Sequence, residues 1–284
     1  MEFTEEYYPS IRDMVGTEVE RLLERDGKYR VVTVPMRAFA ILRPNKGPYL
    51  ESAYFFARQV DDMLDGDYQS QDGLDQQEYI EAVVDGMDNG MTASTPSIVG
   101  LYEHAISFTK EDSLQREEMA CNFRRLVSVM RFDFERHKSF LHGQPVLLSA
   151  EQLSEYYQET FEPALLITSQ ITGCDFEPEQ IQVFGRTLGR MYSINDLEED
   201  LARGLFNMPQ EYICLPMSDG PAKLLDDTQI RQWAMTELED GEKALRALKL
   251  EISRNADLKT KILFRLLAEG PLRYRSRLSR QWQI

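Results

Sequence analysis

YFFARQVDDMLD, residues 54–65, joins an apolar helical repeat to a dense group of charged side chains. Apolar residues recur at spacings of three and four through residues 49–65, which predicts an amphipathic helix. Asp61 and Asp65 are four residues apart, so they share one face of that helix. The segment therefore predicts a helix that presents two carboxylates side by side near its C-terminal end.

NDLEED, residues 195–200, repeats this arrangement on a second helical pattern that spans residues 178–203. Asp196 and Asp200 are again four apart, and like charges at this spacing repel by about 0.2–0.5 kcal/mol when they are exposed. Partial burial at an effective dielectric of about 20 raises the repulsion to roughly 3 kcal/mol. Two such pairs favour a bound hard cation, Mg²⁺ or less often Mn²⁺, over two solvated acidic helix ends.

Two glycines lie on the same predicted helix face as the second pair of aspartates. Gly185 and Gly189 precede Tyr192, Asp196 and Asp200 at helical spacings. Glycine inside a helix costs about 0.5–1 kcal/mol relative to alanine, so two on one face call for a reason. Two reasons remain open from the sequence: another helix backbone approaches closely, or a cavity opens beside this helix.

Helical patterns cover most of the remaining chain. Residues 114–140 form one long helical pattern, and residues 228–268 form two helices that divide near residues 255–257. Ser149 and Gln152 form a capping box that opens a further helix. These patterns predict an all-α protein.

The strand signals are few, and residues 31–34 (VVTV) are the one candidate. No linker is long enough to force a domain boundary, so the simplest prediction is one all-α domain over residues 1–284. The predicted inward positions of the 114–140 helix are Leu114, Met119, Phe123, Leu126, Met130 and Phe134.

Composition excludes several classes of function. The net charge of −16, from 32 basic and 48 acidic residues, argues against nucleic-acid binding, which needs clustered Lys and Arg. The three cysteines are dispersed and the first residues lack an apolar segment, which predicts a cytoplasmic protein without a signal peptide. No glycine-rich dinucleotide fingerprint is present, so no nicotinamide cofactor is expected.

The two acidic segments together resemble the squalene/phytoene synthase family, the head-to-head prenyl diphosphate synthases. Residues 54–65 look like the family's Tyr-x-x-x-Arg-x-x-Asp-Asp-x-x-Asp motif. Residues 195–204 look like its Arg-Asp-x-x-Glu-Asp-x-x-Arg-Gly motif, and residues 130–135 resemble its Met-x-x-Asp-Leu stretch. The similarity in order and spacing covers roughly residues 35–210.

The resemblance implies an isoprenoid-synthase helical bundle around a central cavity. It implies Mg²⁺-dependent condensation of two allylic prenyl diphosphates, farnesyl or geranylgeranyl, with release of diphosphate and a presqualene- or phytoene-type product. The catalytic carboxylates, facing each other across the cavity, would be Asp61, Asp65, Asp196 and Asp200. The metal ligands implied are these four with Asp62 and Glu199. The implied substrate-binding residues are Tyr54, Arg58, Tyr192, Asn195 and Arg203.

Several positions depart from the family pattern near the second motif. Asn195 replaces the usual Arg, Tyr192 stands where Asn is usual, and Gly189 stands where Gln is usual. Leu205 and Asn207 replace a common Arg and Tyr. Two alternatives therefore stay beside condensation: a class I terpene cyclase or lyase that uses one prenyl diphosphate, and a non-catalytic member that acts as an assembly factor.

The C-terminal residues are basic although the chain is acidic. Arginines recur from Arg273 to Arg280, with Leu278 and Trp282 among them. This pattern is typical of a solvated tail, and also of a peripheral contact with anionic lipid.

Overall fold

The computed structural model describes residues 10–25, 30–69, 73–109, 111–213 and 220–282. These residues form twelve α-helices and two short strands, which confirms the all-α prediction. The predicted absence of a signal peptide concerns residues that lie outside these ranges. Cys214 also lies outside them. The helices are α1 (Ile11–Arg25), α2 (Arg30–Leu42), α3 (Gly47–Leu64), α4 (Gln76–Asn89), α5 (Val99–Ile106), α6 (Ser113–Leu141), α7 (Ala150–Thr172), α8 (Pro178–Asn195), α9 (Leu197–Ala202), α10 (Thr228–Asn255), α11 (Leu258–Ala268) and α12 (Tyr274–Trp282).

The chain divides into two compact units. Unit 1 contains residues 1–131 and 170–172, and unit 2 contains residues 132–169 and 173–284. Each unit has its own set of buried apolar residues. The single domain expected over residues 1–284 stays a prediction. Among the described residues, no helix has both the length and the apolar character to cross a bilayer.

Helix α3 is the central element of unit 1 and confirms the first sequence prediction. Pro48 lies in its first turn, and Gly66 follows its end with a positive φ of 77°. Phe55 and Phe56 are fully buried, and the Phe56 ring packs edge-on against Phe123, with 5.6 Å between ring centroids. The apolar repeat therefore faces a core, and the charged residues of the motif come at the end of a well-anchored helix.

The strand predicted at residues 31–34 is wrong, because this segment lies inside helix α2. Strand preference of β-branched residues is weak and depends on the surroundings. Here the helix continues to Leu42 and packs against α3, so tertiary packing overrides the local preference.

The helices predicted from capping and periodicity are confirmed with small shifts of their ends. Helix α6 covers the 114–140 pattern, and the Ser149 capping box opens α7. The 228–268 pattern divides into α10 and α11 as predicted. One inward position is wrong: Leu114 is 69% exposed, because it lies in the first turn of α6, beyond the buried part of the helix.

The single helix predicted over residues 178–203 is two helices. Helix α8 ends at Asn195, Asp196 has the non-helical ψ of 8°, and α9 begins at Leu197. Asp and Asn side chains form local hydrogen bonds that compete with the helix, and Asn195 Nδ2 donates to Asp196 Oδ1 at 2.6 Å. After α9, strand β2 (Phe206–Pro209) pairs in parallel with β1 (Leu147–Leu148). Neither strand is long enough to show a periodicity in sequence.

The two glycines of α8 are explained by close helix packing. A Cβ on Gly189 would lie 2.7 Å from the carbonyl carbon of Tyr157 on α7, and nearer still to its oxygen. A Cβ on Gly185 would lie 2.8 Å from Cα of Glu162 on the same helix. The open-cavity alternative is therefore excluded at both positions.

Candidate functional site

In unit 1, the first aspartate pair stands at the C-terminal end of α3. The Asp61 side chain is 35% exposed, and its Oδ2 accepts a hydrogen bond from Arg58 Nη1 at 2.9 Å. Asp65 caps the helix, and its backbone N–H donates to the Asp61 carbonyl at 2.9 Å. Two carboxylates at the negative end of a helix dipole are unfavourable without a cation. This arrangement suits an oxygen-seeking metal ion.

Asp62 has different surroundings, because its side chain is fully buried between two guanidinium groups. Arg58 Nη2 donates to its Oδ1, and Arg21 Nη1 donates to its Oδ2 at 2.6 Å. Both carboxylate oxygens are thus already used by arginines. The geometry favours Asp62 as the residue that holds Arg58 in place, and leaves Asp61 and Asp65 as the carboxylates with access to solvent.

Arg21 is a site-supporting residue that sequence reasoning missed. It lies on α1, 41 residues before Asp62, and also bonds Glu18 Oε2 through Nε and Nη2 at 3.0 and 2.8 Å. Burial raises the pKa of Glu18, while Arg21 opposes that shift. No spacing signal links α1 to the motif, so only the fold reveals this network.

In unit 2, the second acidic segment begins at the break between α8 and α9. Asn195 donates to Asp196 and accepts, through Oδ1, a hydrogen bond from Arg277 on α12. A guanidinium group therefore stands beside residue 195, the position where the resemblance led us to expect an arginine. Glu199 is exposed, so it is accessible to solvent.

Asp200 is part of a polar chain that links four side chains of unit 2. Asn207 Nδ2 donates to Asp200 Oδ2 at 2.7 Å, and Asn207 Oδ1 accepts from Arg136 Nη1 at 2.9 Å. The same Nη1 donates to Asp133 Oδ1 at 3.0 Å. Burial raises the pKa of Asp200 well above its usual range, and nearby Asp133 adds to the shift, although the Asn207 hydrogen bond opposes it. A cation at Asp200 would relieve this cost.

Arg136 is almost fully buried, and part of its guanidinium group has no partner. Its Nε and Nη2 make no hydrogen bond, while both lie out of reach of solvent. The Phe132 and Tyr156 ring centroids each lie 5.4 Å from its Cζ. Nε and Nη2 form the lateral edge that binds two oxygens of a phosphate or carboxylate together. Here that edge is enclosed by the protein, so its two unpaired N–H donors carry a desolvation cost, which the flanking rings of Phe132 and Tyr156 offset in part.

Two tyrosines of α7 support this chain. Tyr156 Oη donates to Asp133 Oδ2 at 2.8 Å, and Tyr157 Oη donates to the Asn207 carbonyl at 3.1 Å. Burial raises the pKa of Tyr156 well above its ordinary value, with Asp133 as a further cause, so the phenol stays protonated and donates. The sequence singled out Asn207 only as a departure from the family pattern, and the structure shows it as the residue that joins Asp200 to Arg136.

Arg203 is the C-terminal cap of helix α9, and Gly204 follows it. The Arg203 carbonyl lies 2.7 Å from His137 Nδ1, which ties this turn to α6. Gly204 has a φ of 75°, and a Cβ there would lie 2.7 Å from Cβ of Phe140. Glycine is therefore required at this position both by backbone conformation and by close approach.

The predicted substrate-binding tyrosines lie in aromatic groups. Tyr192 stacks on Phe161 with ring centroids 4.8 Å apart, and meets Tyr274 edge-on at 5.4 Å. In unit 1, Tyr54 is partly buried and meets Phe55 edge-on at 5.2 Å. Burial is the largest cause of the raised pKa of Tyr192, so this side chain stays protonated and presents a neutral aromatic ring.

The donor sets fit Mg²⁺ and diphosphate. Within the described residues, no three acidic, histidine or cysteine side chains form a ready-made metal cage. Mg²⁺ does not need one, because it keeps several waters and binds through one or two carboxylates together with substrate phosphates. Asp61 with Asp65 supplies such a set in unit 1, and Asp196 with Asp200 supplies one in unit 2.

Comparisons with known proteins agree with the fold. The family model for squalene/phytoene synthase matches residues 36–278, which is most of the chain. The crystal structure of squalene synthase HpnC from Alicyclobacillus acidocaldarius superposes with a TM-score of 0.63 and 16% identity, over 96% of this chain and 95% of that chain. At this identity the structural match shows the helical isoprenoid-synthase fold alone. A comparison with curated proteins found no matching relative.

Proposed function

Because this chain belongs to the squalene/phytoene synthase family, we propose that it is a Mg²⁺-dependent prenyltransferase that joins two allylic prenyl diphosphates head to head. Farnesyl or geranylgeranyl diphosphate is the proposed substrate, and the product is of the presqualene or phytoene type. The observation that carries the proposal is that each carboxylate pair has a guanidinium group beside it. Arg58 bonds Asp61, and Asn207 links Arg136 to Asp200.

The proposed metal ligands are five carboxylates of the two motifs. Asp61 and Asp65 serve in the first motif, and Asp196, Glu199 and Asp200 serve in the second. Asp62 is assigned a positioning role, because Arg21 and Arg58 use both of its oxygens. When bound, Mg²⁺ neutralises the negative charge that develops on the departing diphosphate.

The arginines hold the phosphate oxygens in place for ionisation. Arg58 is fixed by two aspartates, so its guanidinium group is already oriented before substrate binds. Arg136 is buried and acts through Asn207, which links it to Asp200, and Arg203 adds a further positive charge. Charge-assisted bidentate bonds of this kind orient as well as attract the phosphate.

The carbon chemistry takes place away from water. Loss of diphosphate from one substrate leaves an allylic cation, and the double bond of the second substrate attacks it, with loss of a proton, to give a cyclopropyl diphosphate. Rings such as Tyr192, Phe161 and Tyr274 offer faces that stabilise a cation electrostatically. The neutral state of Tyr192, kept by burial, suits this role.

The test is to incubate the protein with separate prenyl diphosphates, with and without Mg²⁺, and to identify the organic products by mass spectrometry. We expect Mg²⁺-dependent diphosphate release and a product with the carbon count of two substrates. Asp61→Ala and Asp196→Ala should abolish turnover. Asp67→Ala and Glu198→Ala are the matched controls, since both are exposed acids near the motifs and neither is a proposed ligand. Full activity in both test variants would overturn the proposal.

Asn195 and Asn207 favour one alternative, a class I terpene cyclase or lyase, because they stand where the family pattern led us to expect Arg and Tyr. Gly189 no longer supports that alternative, since its absent side chain is explained by packing against α7. A hydrocarbon or alcohol with the carbon count of one substrate would identify the cyclase. A non-catalytic assembly factor would show no Mg²⁺-dependent binding of inorganic pyrophosphate by calorimetry.

A further inference from the structure

The exposed face of helix α11 carries a stripe of aliphatic side chains. Leu258, Ile262 and Leu266 are 72%, 52% and 63% exposed, and their spacing of four places them along one side of the helix. Over eight residues this stripe is about 12 Å long. Three large exposed aliphatic side chains in a row are unusual on a surface that faces only water.

The helix that presents this stripe is firmly held. Phe264 and Ala268 on its opposite side are buried in the core of unit 2, and the Phe264 ring lies 4.7 Å from that of Phe184. The Asp257 side chain accepts from the Thr260 backbone N–H at 2.8 Å and caps the first turn. The exposed stripe is therefore a fixed feature of the fold.

Basic side chains flank the stripe on both sides. Lys259 and Arg265 lie three residues before and after Ile262, which places them about 60° to either side of it on the helix. Both make exposed ion pairs, Lys259 with Asp257 at 3.6 Å and Arg265 with Glu269 at 3.2 Å. Such exposed pairs are weak and are easily exchanged for other anions.

The C-terminal segment as a whole is basic, like the flanks of the stripe. Residues 243–284 contain eleven Lys and Arg but only three Asp and Glu, although the complete chain has a net charge of −16. From Asp257 to Arg273, the charged side chains around the stripe are four basic and two acidic. Besides its pair with Arg265, Glu269 pairs with Arg273 at 3.4 Å. The face is thus positive on a strongly negative protein.

We propose that the exposed face of α11 docks on an anionic lipid surface, with Leu258, Ile262 and Leu266 inserted among the headgroups. Aliphatic side chains in the middle and Lys or Arg at the edges are the pattern of an interfacial amphipathic helix. A second copy of this chain is disfavoured, because a symmetric contact would bring two positive faces together. A protein partner is disfavoured because three side chains supply little of the roughly 800 Å² per partner that a stable interface buries.

The structure moves this contact away from the Arg-rich end of the chain. Leu278 and Trp282, the apolar residues of α12, are 3% and 8% exposed and pack into unit 2. They are therefore not available for lipid. The arginines of α12 add positive charge, but the apolar anchors are those of α11.

The experiment is vesicle flotation of the full chain with phosphatidylcholine alone and with phosphatidylcholine containing phosphatidylserine. We expect binding to the anionic vesicles that weakens as salt is added. Ile262→Glu should reduce that binding about ten-fold or more, because it removes an anchor and adds a negative charge. Leu141→Glu is the matched control: Leu141 is 68% exposed and lies on α6, and its variant should bind like the wild type.

Three results would overturn the proposal. One is the absence of binding to both kinds of vesicle, and another is equal binding of wild type and Ile262→Glu. The third is a wild-type dimer in size-exclusion chromatography that Ile262→Glu turns into a monomer, which would assign the face to a second copy. Circular dichroism of each variant confirms the fold, and none of these measurements depends on prenyl diphosphate turnover.

Discussion

Gly189→Ala is expected to destabilise the protein, although alanine is the better helix former. The added Cβ would lie 2.7 Å from the carbonyl carbon of Tyr157 and 2.9 Å from its Cα. Both atoms belong to the backbone of α7, so no side-chain rotation relieves the contact. Ordinary van der Waals separation near 3.5–4.0 Å requires α8 and α7 to move apart by about 1 Å.

The expected change in the free energy of unfolding for Gly189→Ala follows from two opposing effects. Replacing glycine by alanine inside a helix gains up to about 1 kcal/mol. Overpacking of a well-packed interior costs about 1–3 kcal/mol. Because a backbone must be displaced here, we expect a cost at the upper end of that range. We therefore expect a net loss of about 2 kcal/mol in the free energy of unfolding, or a fall of roughly 3 °C in Tm for a chain of this size.

Gly16→Ala is the matched control. Gly16 lies inside helix α1, and a Cβ there would meet no atom within 4 Å. This variant should gain about 0.5–1 kcal/mol, because helix propensity acts without a steric cost. Thermal and urea unfolding followed by circular dichroism measures both variants. Equal stability changes at the two positions, or a more stable Gly189→Ala protein, would refute the packing explanation.

Three further predictions concern charged and polar groups. Arg21→Met should lower the unfolding free energy by about 3 kcal/mol, because it removes one of the two arginines that bond the buried Asp62, and adding Asp62→Asn should recover part of that loss in urea unfolding. Asn207→Leu should weaken Mg²⁺-dependent pyrophosphate binding in calorimetry, since Asp200 and Arg136 both lose a partner; unchanged affinity would contradict the link. Burial lowers the pKa of His104, so the unfolded chain binds more protons than the folded chain below about pH 6.5, and the unfolding free energy should fall there as pH drops. The loss should stay below about 1.4 kcal/mol per pH unit, because a single imidazole binds at most one proton, and a His104→Gln protein that shows the same decline would contradict the assignment.

Local features of the fold were predictable because their causes lie within one turn of chain. The Ser149 capping box joins residues three apart, and the ends of α3 follow from Pro48 and Gly66. The break at Asp196 was missed although its cause is also local. A continuous apolar pattern hid a hydrogen bond between neighbouring side chains that competes with the helix.

The support of the candidate site was not predictable, because its contacts join distant parts of the chain. Arg21 reaches Asp62 across 41 residues, and Arg136 reaches Asn207 across 71. Periodicity shows which side of a helix is buried, but it does not show which atoms meet it. For that reason the sequence placed Asp62 among the expected metal ligands, and only the structure shows that its two oxygens accept hydrogen bonds from Arg21 and Arg58.

The sequence by itself determined the helical class, the family and the two carboxylate pairs, because spacing along a helix is a local property of the chain. Only the tertiary structure decided how Gly185 and Gly189 are used, which aspartate is enclosed by arginines, and which apolar residues of the C-terminal helices remain exposed. These outcomes depend on close packing between segments far apart in the chain. The physical reason is that burial and pairing depend on all neighbours in space, while a sequence pattern records only the neighbours along the chain.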